Sequence, residues 1–141
     1  MSDYVRTKSI RYRIPQKQIE EIKRNIKEQN LYDTVIDILE EKYGIKEYCN
    51  GDRLNEFNIN YGYNYKSKQS EYYLDYMLDY EYGASGEFEN ARFLTENEFI
   101  KYKELFNKYI QDIEPSDLRL VHYSYYNGCD APAVYDFKEE L

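Results

Sequence analysis

The sequence predicts an α+β protein. An N-terminal strand-helix-helix unit is followed by an antiparallel, tyrosine-rich sheet packed on one amphipathic helix. Three observations carry this expectation. Ile10, Tyr12 and Ile14 alternate with Ser9, Arg11 and Arg13 and stop at Pro15. Period two marks a half-buried strand, and proline has no N–H with which to extend a ladder. Apolar residues then recur at helical spacing, first Ile19, Ile22 and Ile26, then, in a new phase, Leu31, Val35, Ile38, Leu39 and Tyr43. Period two finally returns in residues 57–65 and 72–82, stretches rich in the chain's 19 tyrosines.

Each element has its own local reason. The first helix is expected over Gln16–Asn30, where Asn30 tolerates the left-handed conformation that ends a helix. Asp33 is the expected N-cap of the second helix and Gly44 its stop. Residues 46–54 read as a connection turning at Asn50-Gly51. Phe57, Ile59, Tyr61, Tyr63 and Tyr65, then Tyr72, Leu74, Tyr76, Leu78, Tyr80 and Tyr82, predict a long hairpin with one aromatic and one acidic face. A helix over 71–82 with Tyr73, Tyr76, Met77 and Tyr80 as its stripe is the rival reading. Residues 83–87 are expected to form a loop, and Phe88–Leu94 a short strand. Thr95 and Glu98 fit a capping box that opens a helix reaching to about Ile113, before Pro115. Strands are expected at Leu118–Tyr126 and Ala133–Phe137. The expected division is a module of residues 1–45 and an acidic α+β domain of residues 46–141.

Charge is unevenly spread. Of a net −8, residues 1–45 carry nine basic against eight acidic side chains, and the remainder ten against nineteen. Arg6, Lys8, Arg11 and Arg13 make the first fourteen residues a basic arm on an acidic chain, which suggests two surfaces with different partners. No apolar run is long enough for a membrane span, and the start has no apolar segment of a signal peptide. A reducing cytoplasm with Cys49 and Cys129 as free thiols is the expectation. Two cysteines and one histidine do not fill a four-ligand zinc site, so no metal or cofactor is expected.

The strand, proline, helix, Asn turn and helix of residues 8–44 resemble the ribbon-helix-helix family of DNA-binding proteins. The resemblance implies a homodimer whose paired N-terminal strands enter the major groove. Ser9, Arg11 and Arg13 would then reach base edges, and Ile10, Tyr12 and Ile14 would form the dimer core. Asp33, at the point where the second helix should approach a phosphate, and Asn30, where glycine is usual, depart from the family pattern.

Catalytic signals are sparse. There is no P-loop, dinucleotide fingerprint, nucleophile elbow or HExxH. Cys129, Asp130 and His122 are near in sequence, as neighbouring strands and loops make common, and no enzyme is expected. Glu71, Asp75, Asp79 and Glu81, interleaved with Tyr73 and Met77, instead predict an acidic strip on one strand face. Residues two apart on a strand lie about 6.6 Å apart, close to the spacing of nucleic-acid phosphates. In character this resembles small acidic phage inhibitors of restriction and CRISPR nucleases. Two functions are therefore expected of a non-enzymatic binding protein. One is a DNA-binding regulator with an acidic protein-binding part. The other is an inhibitor that occupies a basic nucleic-acid-binding protein.

Overall fold

A computed structural model describes residues 4–26, 31–45, 54–84 and 88–126. It is a mixed α+β structure, with three helices and a five-stranded antiparallel sheet among these residues. In chain order the elements are β1 (Tyr4–Arg13), α1 (Gln16–Arg24), α2 (Leu31–Tyr43), β2 (Phe57–Asn64), β3 (Gln69–Ala84), β4 (Phe88–Phe93), α3 (Glu96–Phe106) and β5 (Leu118–Tyr126). The sheet order is β2-β3-β1-β5-β4.

β1 is the central strand. It pairs with β3 along one edge, from Tyr4 opposite Ala84 to Arg13 opposite Tyr73. Along the other it pairs with β5, from Tyr4 opposite Tyr126 to Tyr12 opposite Leu118. The first strand therefore completes the sheet built by the later ones. The rival helix over 71–82 is also excluded: these residues lie within the 16-residue strand β3.

The alternation of β1 sorts its side chains as the sequence predicts. Ile10 and Ile14 are buried in one cluster with Ile19 of α1, Val35 and Leu39 of α2, Ile59 of β2, Leu74 of β3, Phe106 of α3 and Leu118 of β5. All three helices therefore contribute to the core on one sheet face, where one helix was expected. Phe57 fastens α3 to the sheet, with its ring 4.9 Å from Phe106 and 4.8 Å from Tyr109, both edge to face. Such pairs add about 0.5–1.5 kcal/mol to the burial of their area.

Local signals set the helix ends. α1 stops at Arg24 with Asn25 as C-cap, short of the expected Asn30, which lies outside the described residues. α2 begins at Leu31, so Asp33 sits inside its first turn and is not the N-cap. Gly44 has φ +67° and ends α2. Its N–H donates to Glu41 O and that of Ile45 to Glu40 O, the paired bonds of a Schellman stop. At α3, Glu98 N–H donates to Thr95 Oγ1 and Thr95 N–H to Glu98 Oε1, as the capping box requires. α3 ends at Phe106, earlier than expected, with Asn107 as C-cap and Asp112 at φ +56° further on.

One irregularity reorganises β3. Ser9 faces Met77 but Lys8 faces Asp79, so Leu78 is an extra residue in the ladder. A bulge of one residue inverts the side-chain alternation beyond it. Glu71, Tyr73 and Asp75 share the face of Arg11 and Arg13. Asp79 and Glu81, opposite Lys8 and Arg6, fall on the other face. The single-faced acidic strip is corrected accordingly.

Candidate functional site

The two sets of predicted contact residues meet each other. Arg11 and Asp75 are opposite in the β1–β3 register. Both side chains are 0% exposed. Arg11 Nε donates to Asp75 Oδ1 at 2.9 Å and Nη2 to Oδ2 at 2.8 Å, a bidentate fork. Asn60 Nδ2 adds a third bond to Asp75 Oδ2 at 2.8 Å. The guanidinium lies 3.9 Å above the Tyr73 ring, and Nη2 also donates to Tyr123 Oη at 3.2 Å. Burial opposes the charge on Arg11, but the Asp75 carboxylate, with Tyr123 and Tyr73, outweighs it and raises the pKa further above its ordinary value.

A second group continues along the same face. Arg13 Nη1 is 3.6 Å from Glu71 Oε2, with Glu71 buried and Arg13 partly so. Tyr73 Oη donates to Glu71 Oε1 at 2.8 Å, and Asn64 Nδ2 donates to Oε2 at 2.9 Å. Beyond the bulge Arg6 lies 3.9 Å from Glu81, both partly exposed. The β1 arginines thus match carboxylates of β3 at three levels, two of them inside the sheet.

Ser9, Arg11 and Arg13, expected to reach base edges, lie here on the central strand of the sheet. Ser9 and Arg11 are buried, and both edges of β1 already hold hydrogen-bonded neighbours. The dimer expected from an unsatisfied N-terminal strand loses its physical basis for the same reason. Of the predicted acidic contacts, Glu71, Tyr73 and Asp75 are interior, whereas Asp79 and Glu81 are exposed. Tyr80 N–H donates to Asp79 Oδ1 at 2.9 Å, so this carboxylate also occupies a backbone donor.

Asn60, Tyr123 and Arg119 belong to the array or its border and were not anticipated. Arg119 faces Arg11 in the ladder, is buried, stacks 3.6 Å from the Phe93 ring and donates through Nη1 to Ser116 O at 2.7 Å. The signal for it is the one that marked Arg11: it alternates with Leu118 and Leu120. Burial pushes the Tyr123 hydroxyl pKa up. His122 is half-buried on β5 opposite Lys8. Burial, followed by Arg6 and Lys8, lowers its pKa, against the pull of Asp79. Cys49, Cys129 and Asp130 lie outside the described residues. Among the described residues no group of His, Cys, Asp and Glu could hold a metal ion, and no helix is long and apolar enough to cross a membrane.

Fold and site together define an antiparallel α+β protein with an ion-paired array inside its sheet. No family model, curated protein or solved structure matches this chain.

Proposed function

We propose that this chain is a non-enzymatic binding protein that holds a basic, nucleic-acid-binding protein, such as a restriction or CRISPR nuclease, against its acidic exterior. The observation that carries this reading is the fate of the basic arm. Arg11 and Arg13 are turned onto Asp75 and Glu71 within the sheet, so the net −8 of the chain rests on groups outside that array. Such an excess steers a basic partner over long range and repels wrong ones. Asp79 and Glu81 are the proposed contacts: two exposed carboxylates on one face of β3. The groove-reading regulator is the weaker reading, because it requires β1 to leave both neighbours and Arg11 to abandon a buried carboxylate.

The test is complex formation with purified nucleases of both kinds, followed by light scattering and by competition with their nucleic acid. A complex that weakens with salt, excludes nucleic acid and is lost in the Asp79→Lys, Glu81→Lys double variant supports the reading. A complex indifferent to that double reversal, with the fold intact by circular dichroism, removes this surface as the contact. Binding to duplex DNA that depends on Arg11 and Arg13 would return the regulator reading.

A further inference from the structure

The tip of the β2–β3 hairpin carries a second surface, of opposite character. Exposure rises along β2 toward the turn. Ile59 is buried, Tyr61 half-buried against Tyr72, Tyr63 41% exposed and Tyr65 73% exposed. The rings of Tyr63 and Tyr65 meet edge to face, 4.9 Å between centroids.

The turn beneath them is firmly built. Asn64 is buried, and its Oδ1 accepts from Lys66 N–H at 2.9 Å and from Ser67 N–H at 3.2 Å. Its carbonyl accepts from Lys68 N–H at 2.7 Å, and Lys68 takes φ +58° to close the turn. Asn64 Nδ2 is tied to Glu71, which roots the tip in the ion-paired array. Tyr63 and Tyr65 thus project from a fixed base, together with the exposed Lys66 and Lys68.

The sequence from Tyr61 to Ser70 holds two lysines and no carboxylate. The next carboxylate, Glu71, is buried and engaged by Tyr73, Asn64 and Arg13. Exposed aromatic faces beside cations on a rigid base suit a ligand that offers unstacked bases and phosphates together. A duplex keeps its base faces covered. An anionic membrane favours Trp, Phe or Leu for insertion, and residues 63–69 contain none of them.

We propose that the β2–β3 hairpin tip binds single-stranded nucleic acid, with Tyr65 and Tyr63 as the stacking platform and Lys66 and Lys68 on the phosphates. The site is distinct from the Asp79–Glu81 surface and stands whichever partner that surface holds.

The experiment is fluorescence anisotropy of the full chain with labelled oligothymidylate, the duplex of the same length, and anionic phosphatidylserine vesicles in parallel. Single strands should bind and duplex and vesicles should not. Tyr65→Ala should weaken binding about tenfold or more, as loss of one base stack does, whereas Tyr65→Phe should retain it. Lys66→Ala with Lys68→Ala should reduce the slope of log affinity against log salt by about 1.4, the share of two phosphate contacts on a single strand. These positions are exposed, and circular dichroism checks that the fold is retained. Absence of oligonucleotide binding at low salt, binding unchanged in Tyr65→Ala, or capture of vesicles in place of the single strand overturns the proposal.

Discussion

Replacing Arg11 by Met should remove a large part of the stability of this fold. The substitution keeps a long side chain between the Tyr73 and Tyr123 rings but leaves Asp75 buried with Asn60 as its described partner. Breaking a buried pair on one side costs about 3–5 kcal/mol, against a total of roughly 5–15 kcal/mol for a domain. With a urea slope of about 2 kcal/mol/M, the unfolding midpoint should fall by about 2 M. Asp75→Leu should cost a similar amount by stranding the guanidinium. The double variant should recover most of the loss, since an apolar pair of similar volume in place of a buried ion pair is often neutral or better. The assay is urea unfolding followed by circular dichroism on the four proteins of the cycle. A loss under about 1 kcal/mol for Arg11→Met, or single effects that simply add in the double variant, would refute the claim that the pair is desolvated and coupled.

Further outcomes follow from other sites. Ser9→Ala should be neutral or stabilising in thermal unfolding, because the Ser9 hydroxyl is buried with no hydrogen-bond partner among the described residues. Thr95→Ala should cost about 1 kcal/mol through loss of the α3 cap, measured by urea unfolding. Hydrogen bonds from Arg92, then from Thr95 N–H, hold the Glu98 carboxyl down at about 2. Its contribution is therefore present above the ordinary carboxylate range and lost as pH falls through about 2, and Glu98→Gln should flatten that acid limb. Burial, aided by Tyr43 and Asp117, pushes Tyr12 up to about 12. Ultraviolet titration should show a late-ionising tyrosine, with stability full below pH 10 and lost as pH rises through about 12.

The parts of this fold legible in the sequence are those fixed by nearby residues. The capping box at Thr95 and the Gly44 stop need only their own turns, and both form. The alternation in β1, in β2 and in β3 as far as Met77 assigns faces correctly because the period of a strand is intrinsic to its backbone. Partners are a different matter. Alternation places Arg11 and Asp75 on strand faces but does not say that the two strands are neighbours, so each face taken alone reads as a surface. The bulge at Leu78 leaves no mark in composition, and the acidic strip therefore read as continuous. Arg119 carries the same alternation signal as Arg11, without a local excess of basic residues to mark it. The three-helix core escaped because the stripes of α1 and α2 state that they bury a face without stating against what.

The bulge makes the character of β3 depend on counting. One strand serves two environments: before Leu78 its carboxylates turn inward to arginines, and after it they turn out to solvent. Removing or adding a single residue there would exchange the inside and outside memberships of every later side chain in the strand, with almost no change in composition or net charge. A descendant of this chain could therefore acquire a different surface through one codon gained or lost at that position, and keep the rest of its sequence unaltered. The electrostatic identity of the protein is thus held in the parity of a strand as much as in the residues it contains.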